Sequence, residues 1–415
     1  MAAAGDFVAT DAADSSAPSP ADDVAPLATT PPSLPPPAPV PFGTLPPCPS
    51  PLSHPLRALA WLVMVTVGLA SLGLLTAILA AIPLVNLLAL GLLLESEGRV
   101  VRSGRLRDGI PFAGALPRLG AIVVGTWLWL LVIRFVAQGA ADAALVAPGG
   151  PAERGWAIAR VVTTLVVGVH LLAAWFAGGS FVSFFRPIRN ARLLVDAVRS
   201  GTAWSTATGA VRQVIDVVAP GRLLWLGVRG FVGTFLWLFV PTVLFSALRD
   251  TTRPGQVLVT LLGAASLAAV LSWVPFLQAR FAAEGRMEVF RDLATVREWW
   301  RRAPVVMLLA LSILYGLSLP LFLFKVVAAP RDAVPFLTPI FVATIFPARL
   351  AVGWAAHRAA ARDRRRWALL RVPVALVFVP LMGLYLFLLF FTPAIDALGR
   401  RVLFDHHALL LPTPF

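Results

Sequence analysis

Eight long apolar stretches run between Arg57 and the C-terminal residues, and the charge between them is lopsided. They cover 58–82, 119–140, 160–184, 224–247, 257–279, 303–324, 334–355 and 372–394. Each is close to the ~20 residues that a ~30 Å hydrocarbon core requires. The four odd-numbered connections, with Arg229 and Arg349 at their borders, hold 25 of the 35 basic residues, and the three even-numbered ones, with Arg160 at a border, hold six. By the positive-inside rule the odd-numbered loops face the cytoplasm. The reading is an all-α, polytopic protein of about eight transmembrane helices in the inner (plasma) membrane.

Hydrophobic residues make up 58% of the chain and charged ones 13%, against about 25% charged in a soluble domain. A soluble core cannot hide that much apolar surface, so the bilayer must serve as solvent. The net charge of +14 falls in short blocks beside the spans rather than in a free basic domain, which speaks against nucleic acid as a partner. A basic set of 34 Arg and one Lys (Lys325) points to a high-GC bacterial genome.

Residues 1–55 hold 15 prolines, five aspartates and no Lys or Arg. Such a segment buries too little to offset its ordering entropy, and it reads as a disordered, Pro-rich tail. The transmembrane domain spans 56–396, and 397–415 form a C-terminal tail in which His406 and His407 read as solvated. The single cysteine, Cys48, reads as an unpaired thiol in the first tail. Residues 58–94 are too long for one span and short for two. The preferred reading is one span, a turn, and a helix from about residue 87 leaving along the interface. A hairpin is the alternative, and it moves the N-terminus to the cytoplasmic side. Gly68-Leu-Ala-Ser-Leu72 and Gly263-Ala-Ala-Ser-Leu267, each followed by a Glu-Gly-Arg, hint at a four-plus-four repeat.

The cytoplasmic connections are amphipathic. In 185–199, Ile188, Ala191, Leu194, Val195 and Val198 form one stripe with Arg189, Arg192 and Arg199 beside it. In 280–302 the stripe is Met287, Phe290, Leu293 and Val296, ending in Trp299-Trp300. Basic amphipathic helices next to spans lie in the headgroup layer and bind anionic lipid. The candidate lipid contacts are Arg189, Arg192, Arg199, Arg286, Arg291, Arg301 and Arg302.

Three ionisable groups fall inside spans, where burial is costly: Arg134, His170 and Arg349. Arg134 and Arg349 can snorkel, and Asp142 lies within pairing reach of Arg134. His170 reads as a neutral imidazole bonded to a neighbouring helix. Glu95 and Glu97 are two apart, so they do not face one another as an acid–base pair. No nucleotide loop, zinc-protease helix, nucleophile elbow or paired-cysteine motif occurs, and no cofactor or metal is expected.

The run Leu90-Gly-Leu-Leu-Leu-Glu-Ser-Glu-Gly-Arg99, with Arg102, Gly104 and Leu116-Pro117, resembles part of a domain-of-unknown-function family of bacterial multi-span membrane proteins. The resemblance covers about residues 60–140, with Leu92 where that family carries an aromatic. It implies no activity and assigns no site residue. The functional expectation is a non-enzymatic envelope scaffold or membrane-complex subunit, with the bilayer, anionic lipid and membrane proteins as partners. The alternative is a transporter with a mid-membrane polar site.

Overall fold

The computed structural model describes residues 45, 47–248, 252–326, 334–365, 371–395, 403, 404, 406 and 408–410. Most of the Pro-rich tail read over 1–55 lies outside them. The described residues form twelve α-helices and no strand: α1 (Pro55–Ala81), α2 (Asn86–Ser103), α3 (Leu116–Val146), α4 (Pro151–Phe176), α5 (Pro187–Arg199), α6 (Ala203–Val218), α7 (Pro220–Phe245), α8 (Pro254–Glu284), α9 (Leu293–Arg302), α10 (Pro304–Val326), α11 (Val334–Ala360) and α12 (Arg371–Ile395). All except α2, α5, α6 and α9 are long and apolar enough to cross a membrane. Proline opens α1, α3, α4, α5, α7 and α8 within their first two residues, where its missing N–H costs nothing and its fixed φ suits the helix.

The helix after the first span does not leave along the interface. Thirteen consecutive residues of α2, Ala89 to Val101, are buried, including Glu95, Glu97 and Arg99. α2 runs parallel to α11. Ala89 packs in one cluster with Val342 and Leu93 in another with Ile345. Glu97 meets Arg349 at 3.0 Å, and the Val101 carbonyl meets His357 Nδ1 at 2.8 Å. Ala77 and Ala80 of α1 join the Ala89–Val342 cluster at the opposite end. The turn between α1 and α2 carries Leu84 at φ 67°. The two helices are therefore a hairpin, and α1 starts at the end of the bundle where α2 and α11 finish. This corrects the preferred reading of 58–94. An α-helix that polar fails a hydropathy test, but protein encloses it on every side and its charges find partners there.

Glycine sets the spacing of the hairpins. Gly91 and Gly227 meet where α2 crosses α7. A Cβ on Gly91 would overlap the Leu223 carbonyl, and one on Gly227 the Leu87 carbonyl. Gly68 and Gly120 do the same for α1 and α3, against the carbonyls of Leu116 and Met64. Small residues let membrane helices approach to backbone contact, where dispersion and weak hydrogen bonds replace the missing hydrophobic drive.

A recurring unit appears at shorter range than the expected repeat. α2, α4 and α8 are each followed by a left-handed glycine, Gly104 (φ 71°), Gly179 (φ 64°) and Gly285 (φ 71°). Two residues after each glycine a short 3₁₀ helix begins, at Leu106, Phe181 and Met287. Gly125-Thr-Trp-Leu-Trp-Leu130 on α3 matches Gly233-Thr-Phe-Leu-Trp-Leu238 on α7. The tryptophan the two runs share donates its indole N–H to the 3₁₀ helix: Trp129 to the Phe184 carbonyl (2.8 Å) and Trp237 to the Phe290 carbonyl (2.9 Å). The two Glu-Gly-Arg matches are not equivalent, since Gly98 lies inside α2 and Gly285 caps α8. The third span is also shifted. Its helix is 151–176 rather than 160–184, ended by Gly178 and Gly179 at positive φ.

Candidate functional site

The bundle centre holds a polar cluster built by α2, α8 and α11. Arg349, with 3% of its side chain exposed, donates through Nη1 to Glu97 Oε2 (3.0 Å) and Gln278 Oε1 (3.2 Å). Its Nη2 donates to the main-chain carbonyl of Leu409 (3.1 Å), and Gln278 Nε2 donates to the same oxygen (2.9 Å). Snorkelling, expected for Arg349, is ruled out by that burial. The arginine instead faces a carboxylate on a helix 252 positions earlier.

The Leu409 carbonyl belongs to a segment expected to be solvated. Leu403, His406, Ala408, Leu409 and Leu410 are all buried, and a His406 ring nitrogen lies 3.2 Å from the Thr242 hydroxyl. The C-terminal segment is thus packed into the bundle, a correction to its reading as a tail. Its Ala-Leu-Leu-Leu run (408–411) was the available signal.

Towards the end where α2, α8 and α11 finish, a second cluster closes the bundle. Glu95 binds Arg99 (3.0 Å), Arg102 (3.5 Å) and Arg222 of α7 (3.3 Å). Arg102 also donates to the Ala283 carbonyl (3.1 Å), covering an unpaired acceptor in the last turn of α8. Beside it Arg280 binds Glu284 (2.6 Å) and Asp292. Glu298 on α9 joins Arg302 (3.2 Å) and Arg365 (2.9 Å). The Arg365 hydrogen bond, with help from Arg302, holds the Glu298 carboxyl down to about 2. Burial pushes Asp292 up, but hydrogen bonds from Arg280 and Thr295 outweigh it and hold the carboxyl below its ordinary range.

His170 sits in the last two turns of α4, not at mid-span. It is 8% exposed, with its ring 4.6 Å from that of Trp129. Its Nε2 lies 2.9 Å from the Phe184 carbonyl, which can only accept, so Nε2 carries the proton. The bond is to the 3₁₀ helix after α4 rather than to another span. Arg134 is exposed on α3 and joins no cluster among the described residues, while Asp142 accepts from Gln138 (3.2 Å).

The two amphipathic connections differ. On α5 the apolar stripe is open, with Ile188 70%, Val195 45% and Val198 62% exposed, and Arg189, Arg192 and Arg199 exposed beside it. Across the 3₁₀ helix from Met287 and α9 the stripe is packed into protein, Phe290 of the first and Val296 and Trp299 of the second being buried. Arg286 pairs with Glu284 (2.7 Å), Arg301 with Glu298 (3.5 Å), and Arg302 donates to the Arg362 carbonyl (3.1 Å). Arg291 is exposed in the 3₁₀ helix before α9. No family model, no curated protein and no solved structure matches this chain.

Proposed function

We propose that this membrane protein is a non-enzymatic scaffold of the inner membrane, its basic end turned to the cytoplasm, and that it holds anionic lipid through α5. The observation that carries this reading is the open apolar stripe of α5 with three exposed arginines along it. Such a face is open among the described residues and fits the headgroup layer, apolar side down and guanidinium groups among phosphates. A cleft of about 940 Å³ beside α9 supports the same role, with Trp273, Trp300 and Phe378 along its apolar wall and Arg297 and Arg301 at its rim.

The test is lipid retention by the whole chain. Protein extracted from mixed membranes should carry an excess of phosphatidylglycerol, and changing Arg189, Arg192 and Arg199 together to Gln should remove most of it. An unchanged lipid complement in the folded triple variant overturns the reading. A second reading, a permease, is supported by the buried cluster around Arg349, since polar groups deep in a bundle mark solute paths in many membrane proteins.

A further inference from the structure

The deepest cation among the described residues is bonded to a ligand that does not fill it. Arg349 spends Nη1 on Glu97 and Gln278, and Nη2 on the Leu409 carbonyl. Its Nε–H is buried and makes no hydrogen bond among the described residues. Nε and Nη2 form one edge of the planar guanidinium, the two-donor fork that matches a carboxylate. A carbonyl oxygen takes one prong and leaves the other empty, and an unmade buried donor is costly. Gln278 Nε2 adds a third donor aimed at the same oxygen.

We propose that Glu97, Gln278 and Arg349 form a binding site for a short aliphatic carboxylate, closed in this structure by the chain's own C-terminal segment. One carboxylate oxygen replaces the Leu409 carbonyl between Arg349 Nη2 and Gln278 Nε2, and the other takes the open Nε–H. The aliphatic part occupies the space of the Leu409 and Leu410 side chains, which are 2% and 5% exposed. The site goes beyond the lipid-holding role and does not depend on it.

Charge adds a condition. Glu97 and Arg349 sum to zero, so a second carboxylate would leave one buried negative charge uncompensated. The ligand therefore enters with one proton from solvent, which keeps the net charge of the site at zero. Around Glu97, α11 presents Arg349 and α8 the neutral Gln278. Glu95, on the same helix, is committed to Arg99, Arg102 and, from α7, Arg222. His357 of α11 is bonded to Val101, and His406 leaves with its segment.

Isovalerate and isovaleramide are the probes, because they share a tail and differ in the second oxygen. In nanodiscs, a chain ended at Val402 should bind isovalerate at least about tenfold more tightly than the whole chain, and isovaleramide no better than the whole chain does. The affinity should rise as the pH falls from about 8 to about 6, and Arg349→Lys in the shortened chain should lose at least about tenfold. Equal binding of acid and amide, or no gain on shortening, overturns the proposal. Should the shortened chain not fold, the whole chain serves instead. Isovalerate, but not the amide, should speed hydrogen exchange of the Leu409 and Leu410 amides, which are bonded to the His406 carbonyl, in a saturable way, and an unaffected rate likewise overturns the site.

Discussion

Glu97 on α2 and Arg349 on α11 form a buried ion pair at 3.0 Å, with 2% and 3% of their side chains exposed. Removing one partner of such a pair strands the other charge. Glu97→Ala is expected to cost about 3–5 kcal/mol. Glu97→Leu combined with Arg349→Met strands no charge and should be less destabilising than either single change. Thermal unfolding in detergent micelles checks this, and additive losses would contradict the paired reading.

The Gly91–Gly227 crossing admits no Cβ on either side. Gly91→Ala and Gly227→Ala should each lower stability by about 3 kcal/mol or more, because backbone rather than a mobile side chain must give way. Gly73, with nothing within 4 Å of its added Cβ, is the matched control. Gly73→Ala should leave the melting temperature unchanged or slightly raised.

His170 donates to the Phe184 carbonyl alongside Trp129. His170→Gln keeps a donor and should retain most stability, whereas His170→Leu should lose roughly 0.5–1.5 kcal/mol. A Gln variant that stays fully stable but abolishes a cellular phenotype would assign the imidazole a role beyond packing.

The pH response of the basic end follows from Glu298. Its folded-state carboxyl lies near 2, below the ordinary 4.5, so its stabilising ion pairs are fully present above about 4.5 and fade as the pH falls towards 2. The melting temperature of the whole protein should drop through that window. Glu298→Gln should start lower at neutral pH and lose less on acidification.

Cysteine labelling tests the hairpin directly. With the native thiol replaced, Arg105→Cys, Ser200→Cys, Asp292→Cys and Asp363→Cys should react from one side of the membrane, and Gly150→Cys, Thr252→Cys and Arg331→Cys from the other. Cys48, exposed just ahead of α1, should react with the first group. Its reaction with the second would restore the single-span reading of 58–94.

The eight long helices were readable because each had to satisfy lipid on most of its surface, and hydropathy reports that demand. α2 escaped for the opposite reason. Its surroundings are protein, and although Glu95 has Arg99 and Arg102 on the same helix, its third partner, Arg222, lies on α7 and the partner of Glu97, Arg349, lies on α11, far along the chain. Arg349 and His170 stood out in the sequence as ionisable groups inside spans, as did the exposed Arg134, but the partners of the first two, Glu97 and the Phe184 carbonyl, depend on packing that no local pattern encodes. The Gly-Thr-x-Leu-Trp-Leu recurrence was visible at an offset of 108 residues. It is shorter than half the chain, and a search for two equal halves passes over it.

The burial of α2 also bears on how the chain is made. A translocon releases segments into lipid one by one as they emerge, judging each largely by its own hydrophobicity. α1 meets that standard at once. α2 does not, and the residue that neutralises Glu97 emerges from the ribosome 252 positions later. Its polar face must therefore wait in water, at the membrane surface or under a chaperone, until α7, α8 and α11 exist to receive it. The first hairpin synthesised closes only once α11 has emerged, and truncations that remove α11 should leave α2 exposed to proteases however much of the N-terminal half has been inserted.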